Sequence, residues 1–150
     1  MKCLIAGAGG FIGGHLMKRL QLDGHEIICA DIKPISSWFQ ISDKNKTPNG
    51  VEALNENNLI CRTLRNIKNK IPEIQVFCDV ALDPYTTTGQ DGIVNKKGEV
   101  DNDSTIDTLS KMSVLLAENG CDIVSPSDMM DGRVKIIRNE LEKSKNINTC

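Results

Sequence analysis

Residues 74–92 read IQVFCDVALDPYTTTGQDG, and this stretch decides the fold. Its first nine residues favour a strand, with Ile74, Val76, Cys78 and Val80 on one face. Glycine-containing, turn-rich sequence follows as far as residue 102. The stretch therefore predicts a buried strand that opens into a polar loop.

Three carboxylates gather around the end of this predicted strand: Asp79, Asp83 and Asp91. Asp79 and Asp83 are four residues apart, so a continuing strand would place both on one face with Ala81 between them. Asp91 follows a turn and could fold back toward them. Oxygen ligands of this kind suit Mg²⁺ rather than Zn²⁺. The alternative, which spacing alone favours, is that Asp83 and Asp91 are turn residues at the surface.

The sequence on either side alternates between the two kinds of secondary structure. Strands are predicted at 2–6, 26–31, 74–82 and 121–125, and helices at 11–22, 57–70, 104–119 and around Val134, Ile137 and Leu141. The order β-α-β, break, α-β-α-β-α predicts an α/β fold with a parallel sheet. Loop-forming sequence at 33–50 divides the chain into a unit at 1–40 and a unit at 41–150.

A second polar cluster, SPSDMMDGR at 125–133, follows the predicted strand at 121–125. Ser127 and Asp131 could face a ligand, because reactive groups in parallel α/β folds gather at the carboxyl ends of strands. They could equally cap the next helix, which spacing alone favours.

The N-terminal unit carries the glycine turn GAGGFIG at 7–13, between a predicted strand and a predicted helix. Gly7, Gly10 and Gly13 would let a diphosphate approach the helix N-terminus, where free N–H groups favour negative charge. Asp31 ends the next strand and could accept hydrogen bonds from a ribose, which favours NAD over NADP. The alternative is a glycine-rich turn without a ligand.

Composition limits the remaining partners. The net charge is −2 with no basic tract, so no nucleic acid is expected. We expect no membrane span, since no apolar run reaches about 18 residues. We expect no signal peptide, because glycine-rich sequence stands where its apolar segment would be. The six cysteines form no C-x-x-C pair and favour buried free thiols in the cytoplasm over a disulfide framework.

Residues 1–40 resemble the start of an extended short-chain dehydrogenase/reductase, on MKCLIAGAGGFIGGHLMKRL and GHEIICADIKP. The resemblance implies a Rossmann-like β-α-β unit that binds NAD. It also implies a catalytic Tyr-x-x-x-Lys. The chain has one tyrosine, Tyr85, and the residue four positions later is Gly89, so that pair is absent.

Residues 43–150 resemble porphobilinogen synthase (5-aminolevulinate dehydratase), on DVALDPYTTTGQDG and on VDNDSTIDTLSKMSVLLAENGCDIVSPSDMMDGRV. This family implies a (β/α)₈ TIM barrel, here partial, with about two strands and three helices. It also implies condensation of two 5-aminolevulinate molecules into porphobilinogen, by a homo-oligomer. Zinc-dependent members carry three cysteines where this sequence has Ala81, Asp83 and Asp91. The chain is therefore similar to aspartate-rich members, which commonly depend on Mg²⁺.

The same resemblance implies active-site positions at Asp79, Ser127 and Asp131. It also implies two lysines that form Schiff bases with the substrates, and it places both beyond Cys150. Three hypotheses follow: a porphobilinogen synthase fragment, inactive by itself; an NAD-binding module like those of nucleotide-sugar epimerases and dehydratases; and a non-catalytic fusion product.

Overall fold

The computed structural model describes residues 2–6, 11–30 and 41–150. Its strands and helices alternate along the chain, with short 3₁₀ turns at Asp43–Asn45 and Val51–Leu54. In order they are β1 (Lys2–Ala6), α1 (Phe11–Leu22), β2 (Glu26–Ala30), α2 (Leu59–Lys70), β3 (Phe77–Val80), α3 (Asn102–Glu118), β4 (Ile123–Pro126) and α4 (Arg133–Lys143). The predicted order of elements is confirmed.

The strands pair in parallel, as the alternation predicted. β1 pairs with β2 from Lys2↔Glu26 to Ala6↔Ala30. β3 pairs with β4 from Phe77↔Ile123 to Val80↔Pro126. A parallel bridge between Cys3 and Gln75 joins the two pairs just before β3 begins.

The far edge of β4 is also occupied. The Cys150 N–H donates to Asp122 O at 3.0 Å, and Cys150 O accepts from the Val124 N–H at 2.8 Å. This is the bonding pattern of a parallel ladder. Cys150 therefore lies alongside β4 as a strand residue would.

Helices α2, α3 and α4 cover one face of the β3–β4 pair. Ile74, Val76, Cys78 and Val80 point toward these helices and are buried. Leu64, Leu109, Leu116, Ile137 and Leu141 supply the helical side of this core. Full burial of one such side chain contributes about 1.5–3 kcal/mol, so this layer stabilises the fold.

Side-chain caps fix where two of the helices begin. The Asn58 carboxamide, itself buried, accepts from the Cys61 N–H at 2.8 Å and starts α2. The Asp101 carboxylate accepts from the Ser104 N–H at 2.9 Å and starts α3. The helix predicted at 104–119 therefore begins two residues earlier, at Asn102.

The cysteines follow the expected pattern where their side chains are described. Cys3, Cys61, Cys78 and Cys121 are buried free thiols, and Cys150 is an exposed one. No helix among the described residues is long and apolar enough to cross a membrane.

Candidate functional site

The face of the β3–β4 pair opposite the helices carries polar groups. Asp79 on β3 is in register with Ser125 on β4, and both residues are exposed. Phe77, two residues before Asp79, lies on the same face with 57% of its surface exposed. Alternation along each strand places both residues on this face because the opposite face is buried, and the register sets them side by side. Ser125 therefore joins the site beside Asp79, although the sequence analysis did not single it out.

Strand β3 ends at Val80, earlier than predicted. Val80, Ala81 and Leu82 are all buried, so the alternation stops there. Asp83 lies in the turn that follows, where the Tyr85 and Thr86 N–H groups both donate to Leu82 O at 2.9 Å. The prediction that Asp79, Ala81 and Asp83 share one strand face is therefore wrong.

The carboxylates of Asp91 and Asp79 nevertheless act on Asp83. The pKa of Asp83 is raised, first by partial burial of its carboxyl group, then by Asp91, and then by Asp79. Asp83 as a residue is exposed and Asp91 is half-buried. Within the described residues, however, no group of three or more His, Cys, Asp or Glu side chains is arranged to hold a metal ion.

The loop after β3 is held by buried threonines. The Thr86 hydroxyl donates to Gln90 O at 3.0 Å, and the Thr105 hydroxyl of α3 accepts from the Ile93 N–H at 3.0 Å. Both threonines are almost fully buried. At Gly92 a Cβ atom would lie 2.5 Å from Val100 Cγ1, so only glycine fits without movement. The loop that carries Asp83 and Asp91 is thus attached at both ends.

A preceding segment packs against the same loop. The Thr47 N–H donates to Tyr85 O, and Thr47 O accepts from the Thr87 N–H, both at 3.1 Å. Tyr85 is buried, and burial raises the pKa of its hydroxyl. It fills the core beneath the loop and does not line the polar face.

The turn after β4 has a charged centre that the sequence analysis missed. The Asp128 side chain is fully buried and lies 3.2 Å from Arg133 Nε through Oδ2. Its Oδ1 accepts from the Met130 N–H at 2.7 Å, and Arg133 Nη1 donates to Met130 O at 2.8 Å. Asp128 and Arg133 therefore close the turn around Met130. A sequence pattern does not reveal which acid in SDMMDGR points inward.

Asn102 fixes the same turn from outside. Its Oδ1 accepts from the Asp131 N–H at 2.8 Å, and its Nδ2 donates to Asp131 O at 3.4 Å. Ser127 and Asp131 are both exposed at this turn, and Gly132, in the left-handed region, separates Asp131 from α4. The N-cap position of α4 is Gly132, and no side chain caps this helix.

The predicted nucleotide site lies largely outside the described residues, since that is where Gly7, Gly10 and Asp31 fall. Gly13 is within α1. The described part shows a parallel β1–α1–β2 unit, and NAD binding there stays a prediction.

Parallel strands that alternate with helices, with polar groups at the carboxyl ends of β3 and β4, define an α/β fold. The family model for delta-aminolevulinic acid dehydratase matches residues 15–150. The chain belongs to this family. The match begins before residue 41, so the division into units at 1–40 and 41–150 also stays a prediction.

Relatives support the same assignment. The chain is 52% identical over 103 residues to the chloroplastic delta-aminolevulinic acid dehydratase of Hordeum vulgare, covering 69% of this chain and 24% of the relative. It is 46% identical over 112 residues to the enzyme of Bradyrhizobium diazoefficiens, covering 74% and 31%. The chain thus spans about a quarter to a third of these relatives. Because the barley protein is named as chloroplastic, a cytoplasmic location stays a prediction.

A solved structure is similar over most of the chain. It is the Toxoplasma gondii delta-aminolevulinic acid dehydratase (porphobilinogen synthase), crystallised with the reaction product porphobilinogen. The TM-score is 0.71 at 32% identity, covering 91% of this chain and 38% of that one. The fold is therefore that of part of a TIM-barrel enzyme, as the resemblance implied.

Proposed function

We propose that this chain carries one part of a porphobilinogen synthase active site, formed by the loops after β3 and β4. The observation that carries the proposal is the register that sets Asp79 beside Ser125 on the exposed face, with Ser127 and Asp131 just beyond β4. The reaction is the condensation of two 5-aminolevulinate molecules into porphobilinogen. Family membership supports it, and the similar Toxoplasma structure is a complex with that product.

Each side chain has a role that its chemistry allows. The exposed Asp79 carboxylate orients a substrate ammonium group or takes up a proton during the condensation. The Ser127 hydroxyl hydrogen-bonds the substrate, and the Asp131 carboxylate orients neighbouring groups. Asp128 and Asn102 hold the turn in place before substrate arrives, which reduces the cost of organising the site.

We also propose that Asp83 and Asp91 bind Mg²⁺. The pKa of Asp83 is raised first by burial and then by the negative charge of Asp91, and a divalent cation would relieve both effects. Mg²⁺ commonly uses one or two carboxylates and keeps several waters, so a larger cluster of protein ligands is not required. When bound there, the ion would supply positive charge beside Asp79. A Mg²⁺ titration that left the Asp83 and Asp91 carboxyl NMR signals unmoved would contradict this assignment.

The 150 residues by themselves are not expected to make porphobilinogen. The resemblance gives the family's two Schiff-base lysines no counterpart among them, since Lys111 lies within α3 and Lys135 and Lys143 lie within α4, in another context. We propose that the activity belongs to a longer, homo-oligomeric form that acts in the cytoplasm. Porphobilinogen formation by the purified 150-residue chain would contradict this.

The site is best tested in a chimera. Residues 41–150 would replace the matching segment of the Bradyrhizobium relative, and porphobilinogen formation would be measured. We expect an active chimera, and an Asp79→Asn change should reduce turnover by about 10²–10⁴-fold, the usual contribution of a proton-transfer group. The matched control is Asp107→Asn on the exposed side of α3. A folded but inactive chimera, or full turnover after Asp79→Asn, would overturn the proposal.

The parallel β1–α1–β2 unit supports a second proposal, NAD binding at Gly7, Gly10, Gly13 and Asp31. The test is a calorimetric titration of the whole chain with NAD, with Gly10→Val as the variant. Saturation that the variant removes is expected. Equal heats for the two proteins would refute NAD binding at this turn.

A further inference from the structure

The chain contains two asparagines that precede a glycine, Asn49 before Gly50 and Asn119 before Gly120. Asparagine is one of the thermolabile residue types. Its side-chain carbon can be attacked by the backbone nitrogen of the next residue, and a glycine, which has no side chain, hinders this approach least. The attack requires the asparagine side chain to rotate toward the backbone. The freedom of that side chain therefore decides which of the two pairs reacts.

The Asn119 side chain is held at both ends of its carboxamide. Its Nδ2 donates to Leu115 O at 2.8 Å, and its Oδ1 accepts from Arg65 Nη1. The residue is half-buried at the C-terminal end of α3. Rotation toward the Gly120 nitrogen would break both hydrogen bonds, and the one to the guanidinium is charge-assisted and therefore the stronger.

The Asn49 side chain is exposed in a turn, and within the described part of the chain no hydrogen bond holds it. The turn is closed by the backbone, since the Gly50 N–H donates to Thr47 O at 3.1 Å. The Gly120 N–H donates to Ala117 O at a similar 3.0 Å, so the glycine amides do not distinguish the two pairs. The difference lies in the asparagine side chains, and only that of Asn49 is free to rotate.

We propose that Asn49 is a site of non-enzymatic deamidation, with water as the co-reactant. The Gly50 nitrogen loses its proton and attacks Cγ of Asn49, the Cγ–Nδ2 bond breaks, and ammonia leaves with that proton. Water then opens the succinimide ring at one of its two carbonyls and leaves aspartate or isoaspartate at position 49. One water is consumed, one ammonia is released, and no electrons are transferred. This proposal does not depend on the proposed function.

The position of the turn gives the modification a structural consequence. Thr47 is hydrogen-bonded to the loop after β3 through Tyr85 and Thr87, and a Cβ atom at Gly50 would lie 3.5 Å from Tyr85 Cβ. Isoaspartate lengthens the main chain of this turn by one methylene group, whereas aspartate only adds a charge. Isoaspartate should therefore weaken the contact between the turn and the loop that carries Asp83.

The experiment incubates the whole folded chain at mildly alkaline pH and follows its tryptic peptides by mass over time. Trypsin places Asn49 in the peptide 47–62 and Asn119 in the peptide 112–133, so the two are measured separately. We expect conversion at Asn49 to be faster by about tenfold or more, the factor that corresponds to one charge-assisted hydrogen bond. Methylation by an isoaspartyl methyltransferase should label the converted peptide 47–62. Three asparagines in that peptide have no glycine after them and should stay intact: Asn55, Asn57 and Asn58.

Controls separate the effect of the fold from that of the local sequence. In urea, which removes the anchors of Asn119, the two asparagines should convert at comparable rates. Asn49→Ser should abolish the label on 47–62, and Asn119→Ser is the matched control that should leave it unchanged. Arg65→Met removes one anchor and should speed conversion at Asn119 alone. Equal rates at Asn49 and Asn119 in the folded wild-type chain would overturn the proposal, as would an intact Asn49 under conditions that convert it in urea. Both of these comparisons use the unmodified sequence, so they hold even if a variant does not fold.

Discussion

The buried ion pair behind the SDMMDGR turn should contribute strongly to stability. Asp128→Ala removes a fully buried carboxylate that lies 3.2 Å from Arg133 Nε and accepts the Met130 N–H at 2.7 Å. Breaking a buried pair from one side costs about 3–5 kcal/mol. Arg133 keeps 28% of its side-chain surface exposed, so water partly solvates the stranded charge. We therefore expect the lower part of that range, about 3 kcal/mol.

The contact geometry also predicts the cost of a milder substitution at Asp128. The Asp128 Oδ2 and Arg133 Nε atoms are close enough for an ion pair, yet neither has an aligned hydrogen-bond partner. The attraction is therefore mainly between charges, and the Met130 N–H supplies the directional bond. Asp128→Asn keeps an acceptor for Met130 but loses the charge. It should cost about half as much as Asp128→Ala, or about 1.5 kcal/mol.

The assay is urea unfolding followed by circular dichroism, which gives the free energy of unfolding of each variant. The matched control is Asp107→Ala, which breaks the Asp107–Lys111 pair on the surface of α3, where both side chains are about 60% exposed. Such a pair contributes about 0.3–0.5 kcal/mol. If Asp128→Ala cost no more than Asp107→Ala, the reasoning about burial would be refuted.

Four further outcomes follow from the described contacts. Asp91→Asn should lower the pKa of Asp83, because it removes a repelling charge; carboxyl NMR titration measures this, and an unchanged pKa would contradict the contact. Since the pKa of Asp83 is raised by folding, its contribution to stability is fully present below the unfolded-state pKa and is lost as the pH rises through the folded-state pKa. Asp83→Asn should therefore flatten that part of the pH–stability curve, and an identical curve would argue against the shift. Asp122→Ala should cost about 2–3 kcal/mol in urea unfolding, because Asp122 accepts from a lysine ammonium at 2.6 Å and from the Val76 N–H at 2.7 Å. Gly92→Ala should cost about 1–3 kcal/mol by overpacking, whereas a wild-type melting temperature would show that Val100 moves aside.

Local patterns predicted the elements of the fold well. The alternation of Ile74, Val76, Cys78 and Val80 located β3 and identified its buried face, and the four-residue spacing of apolar side chains located the helices. The predicted end of β3 was wrong because Ala81 and Leu82 extend the apolar run. An apolar residue in a sequence does not show whether it lies in a strand or in a buried turn. Parallel pairing followed from the order of elements alone.

The site was only partly predictable, because its geometry depends on contacts that a pattern does not encode. Asp79 lies at a strand end and was found from sequence. Identifying Ser125 as part of the site required the register of β4 against β3. Identifying Asp128 as the buried acid required the direction of its side chain, since Asp128 and Asp131 are chemically identical. Lys68 and Asp122 are 54 residues apart, so nothing local connects them.

The contact between Asn102 and Asp131 has a mechanical consequence. Asn102 is the first residue of α3, and Asp101 just before it donates its N–H to Ile93 O in the loop after β3. A displacement of that loop is therefore transmitted through two adjacent residues to the turn after β4. The two loops are thus connected through adjacent residues at the start of α3. Substitutions in the loop that carries Asp83 and Asp91 should consequently alter the position of Asp131 even when they contact nothing near it.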